Sequence, residues 1–256
     1  WAVEDSDSED TWELERLGWT AEAEGQHRYT LLWFHSCHGR PDSVESSLDC
    51  LRERGACPAQ MRVVAPAAPR RFSPFQGRQT HQWFEYTTDL MMHGRADQDD
   101  AQPEQLRAQR RRLLRLLEEE LGRLPEGGRL LVGGLSQGAS LALDLLLHFR
   151  GGGGGKLRGA FSLRGMLQRE TLQDLAEDAA PRVLAGLPVL ITHGDEDEMV
   201  PMLHASRSYR CLEQCGARLH FHVLPGQNHC GHSEEEDDVM ANFLRRVLLD
   251  EGDWPT

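Results

Sequence analysis

Five residues constrain this chain more than any others: Gly134-Leu135-Ser136-Gln137-Gly138, preceded by the apolar run Leu130-Leu131-Val132 and followed by the helix-like run Leu141–Leu147. A strand that turns directly into a helix leaves no room for side chains beside the turn residue, so Gly-x-Ser-x-Gly in that setting reads as a nucleophile elbow. The serine sits in a strained backbone conformation with its hydroxyl above the sheet edge. The helix behind it aims its first N–H groups at the point where negative charge develops. The simpler alternative is that Ser136 is only a small residue in a tight turn.

The flanking pattern supports a sheet around this turn. The segments 28–34, 60–65, 129–133, 157–163, 188–193 and 218–224 read as strands. Helical periodicity covers 43–53, 104–124, 137–149, 203–214 and 235–249. Alternating strands and helices imply an α/β fold with a mostly parallel central sheet and helices on both faces. Right-handed crossovers then bring every strand's C-terminal end to one rim, where sites of open α/β sheets lie. The expected organisation is an acidic N-terminal segment (1–27), a single domain (28–250) and a short tail (251–256). Five consecutive glycines, Gly151–Gly155, read as a flexible link, and the long segment 67–102 as a functional loop.

Charge excludes some partners. The 256 residues carry 28 Lys and Arg against 41 Asp and Glu, a net charge of −13. Phosphate contacts need clustered cations, so neither nucleic acid nor an anionic membrane is an expected partner. The one basic cluster, Arg107 with Arg110, Arg111 and Arg112, is expected to pair with Glu118–Glu120 on the same helix. No apolar run is long enough to span a bilayer. Six cysteines without a Cys-x-x-Cys pattern point to free thiols and a cytoplasmic location. The chain opens on Trp1, and any leader or parent polypeptide is left open.

A serine hydroxyl needs an imidazole to take its proton and a carboxylate to orient that imidazole. After Ser136, the strand 188–193 runs into His193-Gly194-Asp195-Glu196-Asp197, and the last strand runs into Pro225-Gly226-Gln227-Asn228-His229. Both segments end on the rim that carries Ser136, in the order serine, acid, histidine found in α/β hydrolases. Asp195 and Asp197 are both placed to be the acid. His229 and His232 are both placed to be the base, while His193 reads as a structural hydrogen-bonding residue. The backbone N–H of Gln137, next after the serine, is one expected oxyanion donor.

Gly134-x-Ser136-x-Gly138, His193-Gly194-Asp195-x-Asp197-x-x-Val200-Pro201 and Gly226-x-x-His229 resemble the acyl-protein thioesterase/carboxylesterase (phospholipase/carboxylesterase) family of α/β hydrolases. Pro66-x-Ala68-Pro69, Trp83-Phe84-Glu85 and Ser162-x-x-Gly165 extend the resemblance over roughly residues 28–249. It implies that Asp197 is the acid, with Asp195 shaping the turn, and that His229 is the base. By position Cys37 supplies the second oxyanion N–H, although Ser36 and His38 stand where the family has glycines. It also implies hydrolysis of esters or thioesters of acyl chains, small-molecule or protein-linked, with no cofactor, by a monomer or weak homodimer. The aromatic-rich segment 67–102 is expected to supply acyl contacts, with Phe75, Trp83 and Phe84 the leading candidates beside Phe72, Tyr86, Leu90, Met91 and Met92.

Two further readings stay open. The altered His35–Gly39 loop allows a catalytically inert relative that binds acyl chains or a protein. A different α/β-hydrolase chemistry, dienelactone-type or C–C or C–S cleavage, is a second alternative. His35, Cys37, His38, His229, Cys230 and His232 should approach one mouth. A metal held there would block the base rather than serve it, so no metal is expected.

Overall fold

The computed structural model describes residues 18–74, 76–88, 90–93, 100–151, 155–177 and 184–250. In chain order its elements are β1 (Trp19–Ala21), β2 (Tyr29–Phe34), α1 (Val44–Glu53), β3 (Met61–Ala65), β4 (Arg70–Ser73) and β5 (Arg78–His81). They continue with α2 (Pro103–Arg123), β6 (Arg129–Leu135), α3 (Gln137–His148), β7 (Leu157–Leu163) and α4 (Arg169–Glu177). Last come β8 (Pro188–Gly194), α5 (Met202–Gln214), β9 (Arg218–Leu224) and α6 (Glu234–Leu249). Short 3-10 turns stand at Pro41–Ser43 and Leu90–His93.

Successive side chains of a strand point to opposite faces, so a strand that is apolar throughout must be covered on both sides. In β2, Leu32 and Phe34 enter one core while Leu31 and Trp33 enter another. The same division separates Val64 from Val63 in β3, Val132 from Leu131 in β6, and Ile191 from Leu190 in β8. Helices α2, α3 and α5 close the first core, and α1 and α6 the second. The strands form one seven-stranded sheet in the order β1-β3-β2-β6-β7-β8-β9. Only β1 runs antiparallel to its neighbour; the other pairs are parallel. The C-terminal ends of β2, β6, β8 and β9 therefore lie on one rim.

Four features depart from expectation. The sheet starts before residue 28, because Trp19–Ala21 pairs with Val63–Ala65; three residues are too few to show a period. The segment 67–102 contains a hairpin, β4 paired with β5. Its strands are largely polar and partly exposed, so no apolar run marks them. Helix α4 follows the Ser162-x-x-Gly165 stretch unannounced. Finally, Arg107 and Arg110 of the basic cluster find their partners outside α2. Arg110 lies eight residues before Glu118, over two helical turns away. Its guanidinium instead grips both oxygens of Asp144 on α3 at 2.7 Å, and Asp174 on α4 at 2.6 Å. Arg107 also pairs with Asp174, and Glu120 takes Arg62 of β3. The glycine link falls partly outside the described residues, as do Phe75 and residues 1–17 of the acidic segment.

Asp144 has no exposed surface and also accepts a hydrogen bond from Thr171 at 2.7 Å. Removing the cation strands a buried carboxylate, a change that costs about 3–5 kcal/mol. Arg110→Leu is thus expected to lower the melting temperature by roughly 10 °C in a domain of this size. A thermal scan of both proteins checks this; unchanged melting would show that Asp144 does not depend on that guanidinium.

Candidate active site

The elbow is sterically locked. A Cβ on Gly134 would sit 2.4 Å from the Phe34 carbonyl oxygen, and one on Gly138 2.2 Å from the same atom. Those contacts are with backbone, which cannot rotate away. Ser136 adopts φ 55°, ψ −118°, a sparsely populated conformation for a non-glycine residue. It is held there by its N–H donating to Leu163 O at 2.9 Å and by its carbonyl accepting from Ser140 N at 3.0 Å.

The loops after β8 and β9 bring two more side chains to this serine. The Ser136 hydroxyl donates to His229 Nε2 at 2.8 Å, and His229 Nδ1 donates to Asp197 Oδ2 at 2.8 Å. The other oxygen of Asp197 accepts from the N–H groups of Met199 (3.1 Å) and Val200 (2.8 Å). Burial would push the Asp197 carboxyl up, but the His229 hydrogen bond and charge, with the Val200 N–H, outweigh it and hold the pKa below the usual range. Asp195 is exposed and accepts from Gly226 N at 2.7 Å, bracing the turn after β9. His232 is exposed and contacts Asp237 at 3.0 Å rather than Ser136. His193 is buried between the Tyr209 hydroxyl and the Val200 carbonyl, which its Nε2 donates to at 2.6 Å.

The loop after β2 lines the same cavity as Ser136 and starts against the elbow, where a Cβ on Gly138 would lie 2.5 Å from the His35 carbonyl oxygen. Without the glycine, His38 still takes the left-handed conformation, φ 64°. Its N–H donates to His81 O at 2.8 Å, and its Nδ1 meets the Thr80 hydroxyl at 2.8 Å. The β4–β5 hairpin thus supplies by hydrogen bonding what glycine supplies by freedom. Cys37 lines the cavity beside Ser136. Burial pushes its thiol up to about 12, so it stays protonated and is a poor nucleophile. Gln137 opens α3, where N–H groups lack helical acceptors. All six potential metal ligands of the two loops line this cavity, but among the described residues no three of them come within 4.8 Å of one another.

Trp83 and Phe84 are not where the acyl reading put them. Both are fully buried and belong to the core, outside the cavity lining. Trp83 Nε1 donates to the His35 carbonyl at 2.8 Å, and its ring lies 5.0 Å from the His35 ring. The Gln137 side chain clamps both, accepting from Trp83 N and donating to Phe84 O at 2.8 Å each. They therefore support the rim loop from behind. Phe75 lies outside the described residues, as do the side chains of Met91 and Met92; Phe72 and Tyr86 reach the cavity, and Leu90 does not. The cavity, about 1230 Å³, takes its apolar wall from Trp33, Val44, Leu51, Leu135, Leu163 and Met240.

Two residues that sequence reasoning missed sit under the histidine loop. Arg164, buried and at φ 51°, donates to the carbonyls of His229 (3.1 Å) and Gly231 (2.5 Å) and to Glu236 (2.8 Å). Glu236 in turn accepts from Thr192 at 2.6 Å. The only available signal was a cation inside the apolar end of a strand, Ser162-Leu163-Arg164-Gly165.

His35 gives a pH prediction. Its Nδ1 donates to Ser36 O at 2.8 Å and its Nε2 accepts from Ala68 N at 3.0 Å, so a second proton finds no acceptor. Burial lowers its pKa from 6.5 to about 4. Between those values the unfolded chain binds the proton and the folded chain does not. Stability is therefore expected to fall as pH drops from about 6.5 to about 4, by up to about 3 kcal/mol from this residue. Melting temperatures across that range should fall less steeply in His35→Gln; parallel curves would exclude His35 as the source.

Comparison with known proteins places this geometry. The Phospholipase/Carboxylesterase family profile matches residues 20–248. Acyl-protein thioesterase 1 of Gibberella zeae is 28% identical over 236 residues, spanning 88% of this chain and 93% of that protein. Acyl-protein thioesterase 1 homolog 1 of Dictyostelium discoideum is 28% identical over 214 residues, 82% of this chain and 88% of that one. The crystal structure of Zea mays acyl-protein thioesterase 2 superposes with a TM-score of 0.71 at 26% identity, covering 90% of this chain and 99% of the maize chain. Among the described residues no helix is long and apolar enough to cross a membrane. The sheet, the elbow and this match together establish that the chain has the α/β-hydrolase fold and belongs to the phospholipase/carboxylesterase family of serine hydrolases.

Proposed function

We propose that the chain hydrolyses carboxylic esters or thioesters of acyl chains through an acyl-enzyme formed on Ser136. The observation that carries this is the unbroken hydrogen-bond series from the Ser136 hydroxyl through His229 to Asp197, with 2.8 Å at each step. As Ser136 Oγ attacks the carbonyl carbon, His229 Nε2 takes its proton, and Asp197 stabilises the imidazolium. The N–H groups of Gln137 and Cys37 receive the oxyanion. His229 then returns the proton to the departing alcohol or thiol, leaving the acyl group on Ser136. Water enters by the same route in reverse: His229 takes its proton, the acid departs, and the serine hydroxyl is restored.

The apolar wall between the sheet, α1 and α6 gives the acyl chain a place out of water, and each buried methylene is worth about 0.8 kcal/mol. The altered loop does not argue for an inert relative, because the donor it offers is main chain. Six free cysteines fit a reducing, cytoplasmic setting.

A fluorophosphonate probe tests the nucleophile, since only an activated serine reacts with it. Labelling of the native chain but not of Ser136→Ala is expected, followed by faster hydrolysis along a chain-length series of p-nitrophenyl esters and acyl thioesters. An unlabelled native chain would point to the inert alternative. Labelling without turnover of any member of the series would point to a different hydrolase chemistry.

A further inference from the structure

Beside the same cavity, whose lining includes His232 and Asp237, three side chains that take no part in acyl transfer converge from distant stretches of sequence. Cys50 lies on α1, His232 in the loop before α6, and Asp237 in the first turn of α6. One sulfur, one imidazole nitrogen and one carboxylate oxygen lie within 4.8 Å of one another. His232 Nε2 is 3.0 Å from Asp237 Oδ2, and the Cys50 sulfur lies within 4.8 Å of both side chains. No other group of histidine, cysteine and acidic side chains meets this condition among the described residues.

The donor set is informative. Thiolate and imidazole select borderline-soft ions, whereas calcium and magnesium prefer oxygen alone. Ligands bound at about 2.0–2.3 Å around a tetrahedral ion stand about 3.3–3.8 Å apart, so atoms that lie up to 4.8 Å apart must close and the His232–Asp237 pair, at 3.0 Å, must open, each by no more than about 1 Å. His232, at 69% side-chain exposure, is free to swing by that amount. Electrostatics favour a cation as well. Thiolate and carboxylate together balance a divalent charge, and the exposed Glu234, Glu235 and Asp238 flank the site in sequence. Arg54 is held mainly by Asp238, at 2.6 Å, and makes only a long ion pair, 3.9 Å, with Asp237.

We propose that Cys50, His232 and Asp237 form a binding site for one zinc-class divalent cation, with water as the fourth ligand. Bound there, the ion ties the loop that bears His229 to α1 across the cavity mouth. The ion does not touch Ser136 or His229, so its role is to fix a wall of the site rather than to take part in acyl transfer.

Chelator-stripped full-length protein titrated with Zn²⁺ against a chromophoric chelator should show one ion per chain. Co²⁺ should give a thiolate-to-metal charge-transfer band in the near ultraviolet. Cys50→Ser should abolish that band, and Cys50→Ser and Asp237→Asn should each weaken Zn²⁺ binding about 100-fold or more, given that even outer-shell partners are worth about 10–100-fold. His229→Ala should bind as the native chain does. Three results would overturn the proposal: no saturable single site, native-strength binding in Cys50→Ser, or binding lost in His229→Ala while Cys50→Ser retains it. The last would place the ion on the base. None of these readouts depends on turnover, so failure here leaves the acyl-hydrolase reading standing.

Discussion

Replacing Ser136 by alanine is expected to lower kcat about a million-fold, with KM little changed. The hydroxyl is the only atom removed, and the substrate loses its covalent partner while keeping its pocket and its oxyanion donors. What remains should be the rate due to binding and oxyanion stabilisation alone, about 10³–10⁴ over water in related triads. Alanine is the right probe because it keeps the strained backbone. Glycine would relax φ 55°, ψ −118° and move the Gln137 N–H as well. The comparison needs active-site titration of the native protein and a melting temperature for the variant. A Ser136→Ala protein that folds and retains more than about a hundredth of native kcat would remove the serine from the reaction and with it the acyl-enzyme.

Ser136, Asp197 and His229 were readable as a set because each follows the C-terminal end of a strand, and strand ends in a parallel sheet share a rim. Ser136, Asp197 and His229 are spread over 93 residues, yet their local contexts are enough to bring them to one place. The split of apolar residues between two cores was readable for the same reason, since β2, β3, β6 and β8 are apolar at consecutive positions. What escaped depends on contacts that leave no local mark. The cavity wall is assembled from Trp33, Val44, Leu51 and Met240, residues whose patterns look like ordinary core. Trp83 reads as a ligand contact because it lies in a long segment rich in aromatic residues. The hairpin hidden in that segment turns it inward against His35.

The rim loop after β2 makes the point most sharply. Ser36 and His38 stand where glycines were expected, and the substitutions suggested a distorted loop. Only the partner 42 residues away, Thr80, and the carbonyl of His81 reveal how a histidine is held at φ 64°. Arg164 and Glu236, 72 residues apart, are a second such pair; separately they look like a stray cation and one more acid on an acidic helix.

Asp197→Asn is expected to lower kcat by about 10⁴ while leaving fold and KM nearly intact. The hydrogen bonds around this residue dictate how the asparagine must sit. Oδ1 accepts from Met199 N and Val200 N, so the amide oxygen is required on that side. The amide nitrogen then faces His229 Nδ1, where it can only donate. His229 must take the tautomer protonated at Nε2, pointing an N–H at Ser136 in place of the lone pair that should receive its proton. The geometry survives and the base is lost. Asp195→Asn provides the contrast, because that side chain is exposed and serves only the turn at Gly226. It should keep kcat within about tenfold of native. Steady-state kinetics of the two variants side by side decide between the acids. A large loss at position 195 with little at 197 would reassign the carboxylate and require the His229 loop to rearrange during turnover.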